Sequence, residues 1–143
     1  MKILSPAKIN LFLQVTGKRP DGYHELFSLM CCVDLCDTIF LQFGVKNIRV
    51  ESSHPQIPFD DTNLAHRAAV VFFKALNVND GLKIFIDKSI PVAAGLGGGS
   101  SNAASVLKGL NQHYGYPFSR NELMSMGLGL GADVPFFLFG KPA

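Results

Sequence analysis

The stretch "PVAAGLGGGSSNAA", residues 91–104, carries the pattern in this chain that most clearly suggests chemistry. Gly95 is followed by three consecutive glycines, residues 97–99, and then by two serines. Each glycine costs roughly 0.5–1 kcal/mol relative to alanine in regular structure, so such a cluster needs a reason. A loop like this between a strand and a helix offers backbone N–H groups and the positive end of the helix dipole to a phosphate. A purely structural turn, with close strand–helix packing or a helix cap as its only reason, is the alternative.

The loop departs from two common nucleotide-binding motifs. No lysine lies in or just after the glycines, as the P-loop pattern G-x-x-x-x-G-K-[ST] requires. Gly95 and Gly97 could begin a G-x-G-x-x-G fingerprint, but Ser100 occupies its last position. A phosphate bound here would therefore need a cation from elsewhere, such as Lys8, Lys88 or Mg²⁺.

Asp133 and Lys8 are candidates for acid–base and electrostatic work. Asp133 lies in "LGADVPFF", after glycines and before an apolar run, where burying an unpaired carboxylate is costly. It suits a general base acting on a hydroxyl, while a helix cap or a buried ion pair explains it equally well. Lys8, in "SPAKIN", enters an apolar strand, and a surface lysine with a buried stem is the simplest interpretation.

Tyr23 and His24 place an aromatic face beside a hydrogen-bonding ring in the turn-like segment "DGYHEL". Stacking combined with an edge contact suits recognition of a flat base. Taken alone, a Tyr-His pair in a loop is more often incidental. The pattern gives no functional role to His54, His66 or His113.

The bulk composition indicates a globular protein. The chain has 143 residues, enough for one domain with a core, and 48% of them are hydrophobic against 17% charged. The net charge of +2 is too balanced to predict nucleic acid or an anionic membrane as the main partner. The N-terminal "MKILSPAK" lacks a signal-peptide core, and no apolar run approaches the ~20 residues of a membrane span. We therefore expect a cytoplasmic protein.

The cysteines are crowded into "LMCCVDLC" as Cys31, Cys32 and Cys36. A zinc site needs ligands that converge on a tetrahedron, usually from paired motifs. Neighbouring cysteines in a strand point to opposite faces, and the histidines are scattered. We therefore expect buried thiols in a reducing compartment.

The first half of the chain is rich in strand patterns. Apolar and β-branched runs separated by turn residues predict strands over residues 8–15, 26–35, 37–43, 47–52 and 82–88. A further, very apolar strand is expected over residues 134–140. With the helices described next, this pattern predicts an α+β fold of two layers, a sheet covered by helices.

Helical spacing appears after residue 60. A helix is predicted over residues 63–76, following the N-cap types Asp60, Asp61 and Thr62. Ser119 and Glu122 form a capping box for a later helix. Between them, a helix is predicted from about Ser101, with one face made by Ala103, Val106, Leu107 and Leu110.

Three blocks of sequence resemble one superfamily. "PVAAGLGGGSSNAA" resembles the ATP-binding glycine loop of the galactokinase–homoserine kinase–mevalonate kinase–phosphomevalonate kinase (GHMP) superfamily. "SPAKINLFLQVTGKRPDGYHEL" is similar to the signature of the branch that phosphorylates a cytidine diphosphate conjugate of methylerythritol in the non-mevalonate route to isoprenoids, and "GADVPFF" is similar to a third block. The blocks span nearly the whole chain in the order typical of that branch.

The resemblance implies an ATP-dependent kinase acting on the 2-hydroxyl of the methylerythritol moiety, with Mg²⁺ accompanying ATP. It implies that residues 1–143 form the two-layer, ATP-binding N-terminal domain, and that a C-terminal domain is absent from this chain. The implied partner is a small-molecule substrate, with no nucleic acid and no membrane. Metal ligands and oligomeric state are not indicated.

The resemblance also implies roles for individual residues. Asp133 would be the catalytic base, and Lys8 its partner and a stabiliser of the transferred phosphoryl group. Asn10, Tyr23 and His24 would bind the substrate, the last two at its cytosine. The residues implied to bind ATP are Asn63, Lys88, Pro91, Val92, Ala93, Ala94, Gly95, Leu96, Gly97, Gly98, Gly99, Ser100 and Ser101.

Two other functions remain open at this point. One is a kinase of the same superfamily for another alcohol, such as homoserine or mevalonate, against which "DGYHEL" argues. The other is a non-catalytic nucleotide-binding module.

Overall fold

The computed structural model describes residues 1–18 and 24–140, with backbone alone for residues 12–18 and 24–28. In these ranges a four-stranded sheet has the order β1-β2-β4-β3, with β3 and β4 parallel and the other neighbours antiparallel. The strands are β1 (Lys2–Lys18), β2 (His24–Gln42), β3 (Ile48–Ser52) and β4 (Leu82–Asp87). The helices are α1 (Leu64–Leu76), α2 (Gly98–His113), α3 (Arg120–Leu130) and α4 (Val134–Phe139).

The helices cover one face of the sheet. Ile39 and Leu41 of β2 are buried, whereas Phe40 between them is 41% exposed. Ile84 and Ile86 of β4 are likewise buried. This alternation is that of a sheet packed on one side only, and it confirms the predicted α+β fold. The helical side of the core is formed by Ala65, Ala68, Ala69, Phe72, Ala103, Val106, Leu107 and Leu110.

One long strand replaces the two predicted over residues 26–35 and 37–43. Strand β2 runs through both segments, since no glycine or proline lies between His24 and Gln42 to end it. The boundary between the two predicted strands corresponds to an irregularity in the pairing of β2 with β1. Pro6 pairs with Cys36 and Lys8 with Cys32, so β2 contains two more residues than β1 between these two pairs. Such a bulge bends the strand without ending it.

The helix starts differ slightly from those expected. Asn63, one residue beyond the expected cap types, caps α1 by accepting a hydrogen bond from Ala65 N at 2.8 Å. Helix α2 begins at Gly98 rather than near Ser101, so the glycine run forms its first turn. The capping box that opens α3 is confirmed, with both reciprocal hydrogen bonds present.

The strand predicted over residues 134–140 is wrong. Residues 134–139 form the short helix α4, with a proline in its first turn and four of its six residues buried. A short apolar run has no periodicity that separates a buried strand from a buried helix, and proline favours the first turn of a helix. None of the helices in the described ranges is long and apolar enough to cross a bilayer.

Two glycines on α3 provide a test of the packing between α3 and α4. A Cβ at Gly127 would lie 2.8 Å from Val134 Cγ1, whereas a Cβ at Gly129 would meet nothing within 4 Å. We expect Gly127→Ala to lower the free energy of unfolding, because overpacking costs about 1–3 kcal/mol. Gly129→Ala is the matched control and should raise it by up to about 1 kcal/mol through helix propensity alone. Urea unfolding of both variants measures this, and equal shifts would show that α4 does not press on α3.

Candidate functional site

The loop between β4 and α2 passes through three residues with left-handed backbone. Ala93, Gly95 and Gly97 have φ angles of 58°, 75° and 71°. For alanine this conformation costs roughly 1–2 kcal/mol. Backbone strain of this kind persists only where the surroundings impose it, and it is common at binding sites. Ala93 is therefore the strained position of this loop, since glycine adopts positive φ without a steric cost.

This loop forms the wall of a cavity of about 340 Å³. Ile57, Leu64 and Lys88 line it together with residues 91–100. The first hydrogen bond of α2 runs from Ser101 N to Gly97 O at 2.8 Å, so the backbone N–H groups of residues 98–100 precede the helical ladder. These N–H groups and the positive end of the helix dipole make the site suitable for a phosphate chain.

Two of the glycines lie close to neighbouring side chains. A Cβ at Gly97 would lie 3.0 Å from both Lys8 Cγ and Phe137 Cζ. A Cβ at Gly98 would lie 3.1 Å from Lys88 Nζ. A side chain at either position would therefore have to displace a neighbouring side chain by a few tenths of an ångström, which agrees with the structural alternative at these two positions.

The other two glycines border more open space. A Cβ at Gly95 would meet nothing within 4 Å, and one at Gly99 would make only an ordinary contact, 3.7 Å from Leu64 Cδ1. Both residues line the cavity. A side chain at either position would therefore reduce the space for a ligand without clashing with the protein.

Lys8 and Asp133 meet beside the loop. Lys8 Nζ lies 4.0 Å from Asp133 Oδ2, with the lysine buried and 39% of the aspartate side chain exposed. The backbone N–H of Lys8 donates to Leu96 O at 2.8 Å, which fastens β1 to the loop. Asp133 occupies the N-cap position of α4, but its side chain makes no capping hydrogen bond. The geometry therefore leaves this carboxylate accessible, with a buried cation next to it.

Several of the residues expected to bind ATP already have partners inside the protein. Asn63 is buried, caps α1 and donates to Pro58 O at 2.9 Å. The hydroxyl of Ser101 is hydrogen-bonded to that of Ser5 at 2.8 Å. Ser100 is half-buried and lines the cavity. Contact of these residues with ATP stays a prediction.

A buried polar network, which the sequence analysis missed, lies beneath the loop. Asp37 of β2 is fully buried and forms an ion pair with Lys88, whose side chain is 4% exposed. Asp37 Oδ2 makes this ion pair, and Asp37 Oδ1 accepts hydrogen bonds from the backbone N–H groups of Ser89 and Ile90, at 2.7 and 2.8 Å. Asn102 of α2 donates from Nδ2 to Asp37 Oδ2 at 3.0 Å. One carboxylate thereby joins the sheet, the start of the loop and α2.

A signal for this network was present in the sequence. Asp37 stands in phase with Ile39 and Leu41, which the alternation places on the covered face of β2. A carboxylate on that face requires a cation and hydrogen-bond donors, because burying it alone is very costly. The pattern could have indicated that Asp37 has partners, although not which ones.

The residues expected to bind the substrate are only partly placed. Asn10 is exposed on β1, two residues after Lys8, so the two side chains share one side of the strand. His24 begins β2 opposite Lys18, with its side chain outside the described part. Tyr23 lies outside the described residues. Their role at a cytosine stays a prediction.

The cysteines are less buried than expected. Cys32 is exposed, and Cys31 and Cys36 are half-buried. Partial burial raises the pKa of the Cys36 thiol, and the carboxylates of Asp34 and Asp37 raise it further. Because the thiolate is the reactive form, Cys36 is a weak nucleophile at neutral pH.

Three comparisons with known proteins, by family, by sequence and by structure, agree on one family of kinases. The family described as "GHMP kinases N terminal domain" matches residues 63–141. The chain is 52% identical over 98% of its length to a 4-diphosphocytidyl-2-C-methyl-D-erythritol kinase of Syntrophotalea carbinolica, and 50% identical over its whole length to one of Geobacter sp.. A crystal structure titled 4-(cytidine 5'-diphospho)-2C-methyl-D-erythritol kinase superposes over the whole chain with a TM-score of 0.85 at 40% identity, and the chain covers 50% of it.

The chain spans about half the length of the curated relatives it matches, 50% and 51% for these two. Its matched residues include the glycine loop and the first turn of α2, which line the cavity, and also Asp133. On this evidence the chain belongs to the GHMP kinase N-terminal domain family.

Proposed function

We propose that this chain binds ATP in the cavity at the glycine loop and takes part in transferring its γ-phosphoryl group to the 2-hydroxyl of 4-diphosphocytidyl-2-C-methyl-D-erythritol. The observation that carries the proposal is the meeting of Lys8 and Asp133 directly beside the loop, with 4.0 Å between their charged atoms. The names of the relatives support this choice of substrate.

Asp133 acts as the general base. Its carboxylate accepts the proton of the attacking hydroxyl, the hydroxyl oxygen bonds to the γ-phosphorus, and the bond to the β–γ bridging oxygen breaks to release ADP. The Lys8 ammonium lies 4.0 Å from the Asp133 carboxylate and attracts it, which holds the carboxylate beside the loop. The same ammonium neutralises the charge of the group in transfer.

The cavity orients the nucleotide. The N–H groups at the start of α2 bind phosphate oxygens, and the fixed left-handed loop holds the chain of phosphates in line with the acceptor. Mg²⁺ bound to those phosphates supplies further charge neutralisation. No group of three His, Cys, Asp or Glu side chains that could hold a metal occurs in the part of the chain the structure describes. Phosphate oxygens of ATP would hold Mg²⁺, and the hydroxyl of Ser100, which lines the cavity, would offer it a further oxygen ligand.

A substrate panel tests the reaction. We expect the complete natural protein to consume ATP with 4-diphosphocytidyl-2-C-methyl-D-erythritol at a kcat/KM at least about tenfold above that for homoserine or mevalonate, a difference of about 1.4 kcal/mol in the barrier. Coupled detection of ADP measures this. Preference for another alcohol would reassign the substrate, and tight ATP binding without turnover on any of them would indicate a binding module.

Gly95 tests whether the space at the loop belongs to ATP. Gly95→Ala and Gly44→Ala both introduce a Cβ at a left-handed position, with φ of 75° and 77°, and neither Cβ meets an atom within 4 Å. Both should lose similar stability, about 1–2 kcal/mol. Only Gly95 lines the cavity, so we expect Gly95→Ala alone to weaken ATP binding, by about tenfold or more. Calorimetric titration with ATP measures the affinities, and equal affinities in the two variants would place ATP elsewhere.

Asp133 and Lys8 test the chemistry. Asp133→Asn keeps the shape and removes the charge, so kcat should fall by about 10²–10⁴-fold while ATP affinity changes little. Lys8→Ala should cause comparable damage, and the double variant should be little worse than either single one if the two act as a unit. Asp61→Asn, at an exposed aspartate, is the control. Rates at saturating substrates in the complete protein decide it, and near-normal kcat for Asp133→Asn would remove the base assignment.

A further inference from the structure

The Lys88 ammonium occupies an unusual place for a cation. It lies 3.1 Å from where a Cβ on Gly98 would be, which puts it against the first turn of α2. The positive end of a helix dipole repels a cation. Burial adds to that cost, because only 4% of the Lys88 side chain is exposed. Lys88 can remain there only because the Asp37 carboxylate cancels its charge.

The same carboxylate fixes the chain immediately after Lys88. Asp37 Oδ1 accepts from Ser89 N and Ile90 N, the last two backbone donors before the lining residues 91–100. Asn102 of α2 completes the set and also donates to Ser5 Oγ at 3.0 Å. The entry of the loop and the start of α2 are thus held to one group, and that group does not line the cavity.

We propose that Asp37 is a positioning residue for nucleotide binding, which keeps Lys88 as a neutralised part of the cavity wall instead of a phosphate ligand. The phosphates of ATP are then met by the N–H groups of α2, and Asp37 acts on them only through Lys88 and the loop. This inference rests on the proposed binding of ATP at the loop. In this inference Lys88 is part of the cavity wall, whereas the sequence alone suggested it as a cation that binds the phosphate.

Charge removal at the pair distinguishes the possibilities. We expect Asp37→Asn to raise the Kd and KM for ATP by about tenfold or more, with a smaller change in kcat. The unpaired Lys88 ammonium would be repelled by the first turn of α2, and its movement would displace the loop entry and the N–H groups that bind the phosphates. Lys88→Met should also weaken ATP binding, since it leaves the carboxylate unpaired. The double variant, Asp37→Asn with Lys88→Met, removes both charges and should bind ATP within a few-fold of wild type. Loss of one partner of a buried pair is far more disruptive than loss of both.

The measurements are ATP calorimetry and steady-state kinetics on the complete natural protein, with circular dichroism to establish folding. Glu51→Gln is the matched control, since it breaks the exposed Lys83–Glu51 ion pair, 3.7 Å long, at the parallel edge of the sheet. It should leave the Kd for ATP unchanged.

Two outcomes would overturn the inference. A double variant as impaired as Lys88→Met would make Lys88 a direct ligand of ATP. A folded Asp37→Asn variant with normal Kd and KM for ATP would make Asp37 a structural residue only. Should Asp37→Asn fail to fold, the double variant carries the test alone, with restored ATP affinity supporting the inference and lost affinity refuting it. Failure of wild type itself to bind ATP would instead refute the proposed function.

Discussion

The buried carboxylate of Asp37 is the constraint on which the rest of the site depends. A charge in a fully covered layer must be matched, and here it is matched by an ammonium, two backbone N–H groups and a carboxamide. Those donors belong to the first residues after β4, which begin the loop, and to α2. Satisfying one side chain on β2 therefore fixes the start of the loop and α2, which border the cavity, relative to the sheet.

The glycine run serves two purposes at once. Gly97 and Gly98 leave room for Lys8, Phe137 and Lys88, so the close approach that excludes side chains there is made by the protein itself. Gly95, by contrast, faces open space. The sequence does not distinguish these glycines from one another. The structure does, because it separates glycines that pack against protein side chains from a glycine that leaves space for a ligand.

Much of this architecture could be predicted from sequence, because local patterns determine it. The capping box at Ser119 and the apolar face of α2 depend on residues a few positions apart. The fate of residues 134–139 could not be predicted, since a short apolar run fits a buried strand and a buried helix alike. Asp37 shows the other limit. Its phase on β2 indicated burial, but its partners lie 51 to 65 residues away, beyond what local pattern can specify.

The sequence separations within this network have a kinetic consequence. Ser5 bonds to Ser101 across 96 residues and to Asn102 across 97, so both contacts close loops of about two-thirds of the 143-residue chain. Closing long loops costs entropy that is recovered only when the contacts form, and such contacts tend to form late in folding. The hairpin of β1 with β2 and the helices can form from nearer neighbours. The cavity at the glycine loop should therefore be among the last features to become ordered in a refolding chain, after most of the helical signal has already appeared.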